Sequence, residues 1–347
     1  MLTQETLVTA FEDTQAQADW AAVRDSGMGE LMAGYNLVLA LSMLDRTGMA
    51  RALLASERGV PARLLDGLDP GFGSGLIDYL RIRGIVQVDG DAVLPTARGR
   101  RLLAEVPMAL LGYFHEAYSP VLRAGADLLK GTARYGSDVE RDGEALGRHC
   151  EVLFRSFGAS VVLKILDQMG ARSLLDLGCG SGGMLVDACQ RDPSLRAIGL
   201  DISPEVVEYG RRRIAELGLS DRIEMVVGDA FAPETWPESC RNADAILTVG
   251  TLHEHFRDGE DAVVELLDRY ADLLTGDGQG LILAEPELHR DEKDADFYLI
   301  HTFTRQGYPR MRDDWFPVFE RSRLRCVEVI SVPETGFRFA YYHLVRR

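Results

Sequence analysis

No stretch of the sequence stays apolar for the roughly 18 residues needed to cross a bilayer. The first twenty residues, MLTQETLVTAFEDTQAQADW, lack the basic segment and apolar core of a secretion signal. Cysteine is scarce: Cys150, Cys179, Cys189, Cys240 and Cys326 make an odd number with no CxxC spacing. That argues against a disulfide framework and fits a reducing cytoplasm. Positive charge is short as well, with 38 Lys and Arg against 54 Asp and Glu and a net charge of -16. A surface so negative repels phosphate backbones and anionic lipid, which disfavours nucleic acid and membrane as partners. Internal repeats and low-complexity tracts are missing. What is left is a cytoplasmic protein that acts on a small-molecule substrate.

The 347 residues, 46% of them hydrophobic, suffice for two domains with sizeable cores. The first part reads as helices: apolar residues recur at three- and four-residue spacing over 31–44, and shorter helices follow at 48–54, about 61–68 and 74–83. Residues 84–94 then alternate around an Asp-Gly turn, as a small hairpin does. Short helices followed by a hairpin predict a winged helix over 1–105. Its arginines (Arg81, Arg83, Arg98, Arg100, Arg101) would suit DNA, but chain-wide acidity favours a dimerisation module instead, and hence a homodimer. Connecting helices over 106–170 carry an aromatic segment (Tyr113, Phe114, Tyr118) that suits a substrate-pocket wall. They also carry a charged loop ending at Arg141-Asp142.

From Ser173 onward, strands alternate with helices, at 173–177, 196–200, 223–227, 244–249 and 280–285. Two further strands, 325–330 and 337–345, lie close enough together for an antiparallel hairpin. The pattern predicts an α/β catalytic domain over 171–347, a mainly parallel sheet covered on both faces. The first strand runs into Gly178-Cys179-Gly180-Ser181-Gly182-Gly183. Glycines there permit a sharp turn and close approach of a ligand. The run also satisfies GxGxxG, so a nicotinamide cofactor competes. Asp176 decides against it, because a carboxylate two residues before the first glycine repels a pyrophosphate and attracts an ammonium. Asp201, closing the second strand before Ile202, suits ribose hydroxyls. Asp229, closing the third before Ala230, suits an adenine amino group. After the fourth strand comes Thr251-Leu252-His253-Glu254-His255-Phe256, whose histidines are expected at the ligand-binding end of the sheet.

This ordered set resembles the class I methyltransferases, whose Rossmann-like seven-stranded sheet ends in such a hairpin. The resemblance implies S-adenosylmethionine as cofactor, held by Asp176, Gly178, Gly180, Asp201, Ile202, Asp229 and Ala230. With the helical first part, nearly the whole chain resembles small-molecule O-methyltransferases, in which a histidine like His253 is the general base. It is more specifically similar to the α-keto acid (phenylpyruvate-type) C-methyltransferases. That likeness implies Arg141 as anchor of the substrate carboxylate, with Asp142 beside it. It also implies His253 and His301 as ligands of a divalent metal, iron or zinc. Glu254 or Glu285 would complete the shell or orient a histidine. Methylation at the β-carbon of an α-keto acid is the expected reaction, and O-methylation of a hydroxylated aromatic is the alternative.

Overall fold

The computed structural model describes residues 9–61, 68–332 and 337–347. Contacts divide the chain into two compact units, Met1–Met108 and Ala109–Arg347.

In the first unit, helices Thr14–Asp25, Met28–Arg46, Met49–Ala55, Pro70–Ile82 and Ala97–Leu103 accompany a small antiparallel sheet. Its strands are β1 (Val60–Pro61), β2 (Val86–Asp89) and β3 (Ala92–Pro95), in the order β1-β3-β2. The hairpin expected over 84–94 is β2–β3. Of the helix expected near 61–68, Val60 and Pro61 instead pair with Val93 and Ala92 as a strand, and 62–67 lie outside the described residues. The helix expected at 31–44 is longer, Met28–Arg46. Its inner residues Leu37, Ala40, Leu41 and Leu44 are buried, whereas Leu31, Met32, Tyr35 and Met43 are exposed. Among the described residues no single helix is long and apolar enough to cross a membrane.

The second unit is built on a seven-stranded sheet. Its strands are β4 (Ser173–Leu177), β5 (Arg196–Asp201), β6 (Ile223–Val227), β7 (Ala245–Val249), β8 (Gly280–Pro286), β9 (Leu324–Ser331) and β10 (Phe339–Arg346). The order is β6-β5-β4-β7-β8-β10-β9, with β4 to β8 parallel and β10 antiparallel to both neighbours. Helices cover both faces, so the central strands are buried on both sides and read as unbroken apolar runs (Leu281, Ile282, Leu283, Ala284). Asp176 interrupts such a run, and it too is buried. The chain leaves β4 toward β5 and later returns on the other side as β7. The carboxyl ends of β4 and β7 therefore flank the crevice where the winding direction reverses.

Helix Gly143–Phe157 begins at Asp142, whose Oδ1 accepts the Ala145 N–H at 2.9 Å. Such a cap stabilises a helix by about 1 kcal/mol. The helix is two-faced. Glu151 and Arg155 meet the elements that follow β4 and β5, while Leu153, Phe154 and Phe157 join the aromatic cores.

Candidate active site

One cavity of about 870 Å³ opens at the carboxyl ends of β4 to β7, within the second unit. Asp176, Gly178, Gly180, Asp201, Ile202, Asp229 and Ala230 all line it, and so do Arg141, His253, Glu254 and His301. Residues up to 160 positions apart in sequence thus meet on one surface.

The loop after β4 owes its shape to left-handed backbone at Gly178 (φ 73°), Gly180 (φ 54°) and Gly182 (φ 78°), which side chains on Cα disfavour. A Cβ on Gly178 would also stand 2.8 Å from Thr251 Oγ1. Gly178 and Cys179 donate their N–H groups to Leu200 O, and Gly180 N–H donates to Asp201 Oδ2 at 2.9 Å. The Ser203 N–H reaches the other oxygen, Oδ1, at 3.0 Å. Both oxygens of Asp201 are therefore oriented by backbone, and a carboxylate oxygen so held retains lone pairs for a ligand hydroxyl. Asp229 is oriented similarly, with Oδ1 accepting the Phe231 N–H at 2.9 Å. Burial, with the charge of Asp201 adding to it, pushes the Asp176 carboxyl up to about 7. A cation arriving beside it would draw it back to the carboxylate form. Burial also keeps the Cys179 thiol protonated, so the loop cysteine is no nucleophile.

The other flank is built from side chains. After β7, Gly250 turns with φ 59°, its N–H donating to Ala284 O at 2.8 Å, and the chain enters a 3-10 helix, Leu252–Asp258. Because β8 is the parallel neighbour of β7, Glu285 stands beside this turn. Its Oε1 accepts the Thr251 and Leu252 N–H groups at 3.2 and 2.8 Å, and its Oε2 pairs with His253 Nδ1 at 2.7 Å. Glu285, 1% exposed, is thereby satisfied, and His253 is fixed with Nε2 as its remaining ring nitrogen. His301, on helix Ala295–Thr304, is tied the same way, Nδ1 to Phe297 O at 2.8 Å. The two imidazole centroids are 5.5 Å apart. Burial first, and then the proximity of His253, pull the His301 pKa down to about 3, so it is a neutral imidazole.

Arg141 donates to Gln306 Oε1 at 2.8 Å and to Glu254 Oε1 at 3.1 Å, and Gln306 Nε2 donates to Glu254 Oε2 at 3.2 Å. Burial works against the charge on Arg141, but Glu254, Tyr118 and Tyr135 outweigh it and raise its pKa further. The acid beside Arg141 in sequence, Asp142, is spent on the helix cap; the acid that meets its guanidinium is Glu254, 113 residues on. Glu254 accordingly does not orient His253, a role that Glu285 fills.

Other polar and aromatic side chains near the site lie outside the cavity. His255 stacks on Phe231 at 4.7 Å and does not line the cavity. Tyr308 and Arg310 line a second hollow of about 520 Å³, where Tyr308 stacks on Tyr298 and Arg310 lies 4.1 Å from the Phe256 ring centre. His289 pairs with Glu287. Gln306, bonded to Arg141 165 residues away and to Glu254, lines the cavity with Glu151, and neither gave a signal in the sequence. Among the described residues no group of three His, Cys, Asp or Glu side chains is placed to hold a metal ion.

A methyltransferase-domain family model matches residues 174–278. A 2-ketoarginine methyltransferase of Streptomyces arginensis is 26% identical over 85% of this chain and 87% of its own length. A 3-amino-4-hydroxybenzoate 4-O-methyltransferase of Streptomyces cremeus is 27% identical over 91% and 90%. Human N-acetylserotonin methyltransferase, solved with S-adenosylmethionine, shares the fold at TM-score 0.68 and 15% identity, covering 98% of this chain and 99% of that one. With the sheet and cavity above, the chain is a class I S-adenosylmethionine-dependent methyltransferase. The acceptors in the names of the two Streptomyces relatives, 2-ketoarginine and 3-amino-4-hydroxybenzoate, are both small molecules.

Proposed function

We propose that the enzyme moves the methyl group of S-adenosylmethionine to the β-carbon of an α-keto acid. The observation that carries this reading is the His253–His301 pair, each with Nδ1 tied back and Nε2 left for the cavity, standing with Arg141 on one wall. A phenol needs neither a second neutral histidine nor a cation.

In this reading the cofactor lies across the strand ends in sheet order. Asp229 and Ala230 take the adenine, Asp201 with Ile202 beside it the ribose, and the Gly178–Gly180 loop with Asp176 the methionine end. The sulfonium methyl then points toward His253. Arg141 takes the acceptor carboxylate through a bidentate fork, stronger than a neutral hydrogen bond and more directional than an ammonium. Two imidazoles held from behind fit as ligands of an open divalent site, iron or zinc, where a keto acid supplies oxygens of its own. Such an ion would polarise the keto group and acidify the β-hydrogen. Arg141 and the histidine pair orient the β-carbon toward the methyl. The β-proton leaves first, to solvent water, and the carbon of the resulting enolate forms the carbon–carbon bond as the carbon–sulfur bond breaks and S-adenosylhomocysteine departs.

A second reading rests on the His253–Glu285 pair. An imidazole held by a buried carboxylate is the arrangement of a general base, and would serve O-methylation of an aromatic hydroxyl without a metal. Turnover of a panel of α-keto acids and phenols, before and after chelation, separates the two. Keto acid methylation lost on chelation and restored by iron or zinc supports the first. Phenol methylation indifferent to chelation, with no keto acid turned over, overturns it.

We also propose a homodimer formed through the exposed apolar side chains of helix Met28–Arg46. A monomer mass by light scattering at micromolar concentration would exclude it.

A further inference from the structure

Glu151 belongs to no motif, yet two other elements and its own helix meet at its carboxylate. Ser181 Oγ, in the glycine loop, donates at 2.6 Å; Arg213, on helix Pro204–Glu216, donates through both terminal nitrogens at 2.5 and 2.7 Å; and Arg155 donates at 3.0 Å. Arg155 also bonds Asp187 on the helix that the glycine loop opens, Gly183–Arg191. Burial alone would raise the Glu151 pKa, but the hydrogen bonds from Arg213 and Ser181 outweigh it and hold it below the usual value, so the group is a carboxylate. Glu151 lines the cavity, and its side chain is only 15% exposed.

The last glycine of the loop explains itself here. Gly183 has an ordinary helical backbone, so no turn requires it, but a Cβ at that position would collide with the Glu151 side chain. Gly178, Gly180 and Gly182 supply the turn; Gly183 supplies room for the carboxylate.

We propose that Glu151 is a positioning residue that clamps the glycine loop, through Ser181, in the conformation that receives the methionine end of the cofactor. The proposal uses the cofactor placement given above and is independent of the acceptor. It separates the two ends of the cofactor. The adenosine end is read by Asp201 and Asp229, each of which keeps a backbone bond from outside the glycine loop, from the Ser203 and Phe231 N–H groups.

The test is calorimetric binding of S-adenosylmethionine, S-adenosylhomocysteine and 5′-methylthioadenosine, which lacks the amino acid end, to the full chain and to Glu151→Gln. A lost charge-assisted bond predicts roughly tenfold weaker binding of the first two and less than a twofold change for the third. Glu151→Asp should recover part of the loss. Ser181→Ala, which keeps the Arg213 pair, should shift the same two ligands by a smaller factor. Combined with Glu151→Gln it should add almost nothing, because both changes release one contact. Equal weakening of all three ligands would mean a merely structural role, and unchanged binding of all three would mean the clamp is idle; either overturns the proposal. If Glu151→Gln does not fold, Ser181→Ala carries the same split.

Discussion

The two flanks of the cavity are made in different ways. The flank after β4, β5 and β6 is backbone geometry plus one acid per strand end. Its residues fall in short runs of sequence, and its carboxylates are oriented by N–H groups two residues away or in the loop that follows the neighbouring strand. The opposite flank is made of side chains drawn from Arg141, His253, Glu254, Glu285 and Gln306, joined by hydrogen bonds that span 32 to 165 residues, with His301 set beside His253. In the proposed reading the first flank holds the cofactor and the second tells one acceptor from another, and only the folded chain assembles the second.

The sharpest way to break this comparison is His253→Ala. If the flanks divide the work, kcat falls by about a thousandfold, while S-adenosylmethionine affinity, measured by calorimetry, stays within about twofold. Equal loss of both would make His253 part of the cofactor frame. Next in size is Arg141→Lys, which keeps the charge but loses the fork. For an α-keto acid, KM should rise by roughly 10- to 100-fold with a smaller change in kcat. An unchanged KM would remove the carboxylate anchor and with it the keto acid reading.

How much was legible follows the same division. The strands, their alternation with helices and the closing hairpin were readable because parallel strands buried on both faces are written as apolar runs; β4, β6 and β8 begin at Ser173, Ile223 and Gly280, as the pattern implies. The acids proposed for the cofactor, Asp176, Asp201 and Asp229, were readable because each lies within two residues of the end of a strand. Arg141 and His301 were found by resemblance, and the structure brings them to one surface. Their partners were not readable. The resemblance paired Arg141 with Asp142, but Asp142 caps a helix and Glu254 is the acid that meets the guanidinium. Gln306 and Glu151 act through contacts that no local spacing encodes. Within Leu252–Asp258 the resemblance favours His253 over His255 without giving a physical reason. Only the packing shows one against Glu285 and the other against Phe231.

The smallest expected effect sharpens the cofactor flank. Asp176 is held near pKa about 7 by burial and by Asp201. Since that is above its unfolded value, near 3.9, the protonated folded form is favoured. Its contribution to stability is therefore present at low pH and declines as pH climbs toward 7. Binding has the opposite sign: if the cofactor ammonium sits beside Asp176, the bound state needs the carboxylate. S-adenosylmethionine affinity should then weaken below pH 7, approaching tenfold per unit, and level off above it. Calorimetry at pH 6 in two buffers of different ionisation heat should register release of close to one proton. At pH 8 it should register almost none. Asp176→Asn should abolish the release and weaken binding at pH 8 by about tenfold, the scale of one charge-assisted hydrogen bond. If wild-type protein releases no proton at pH 6, Asp176 does not face the ammonium. The buried acid of β4 would then belong to the frame that shapes the loop rather than to the surface that reads the ligand.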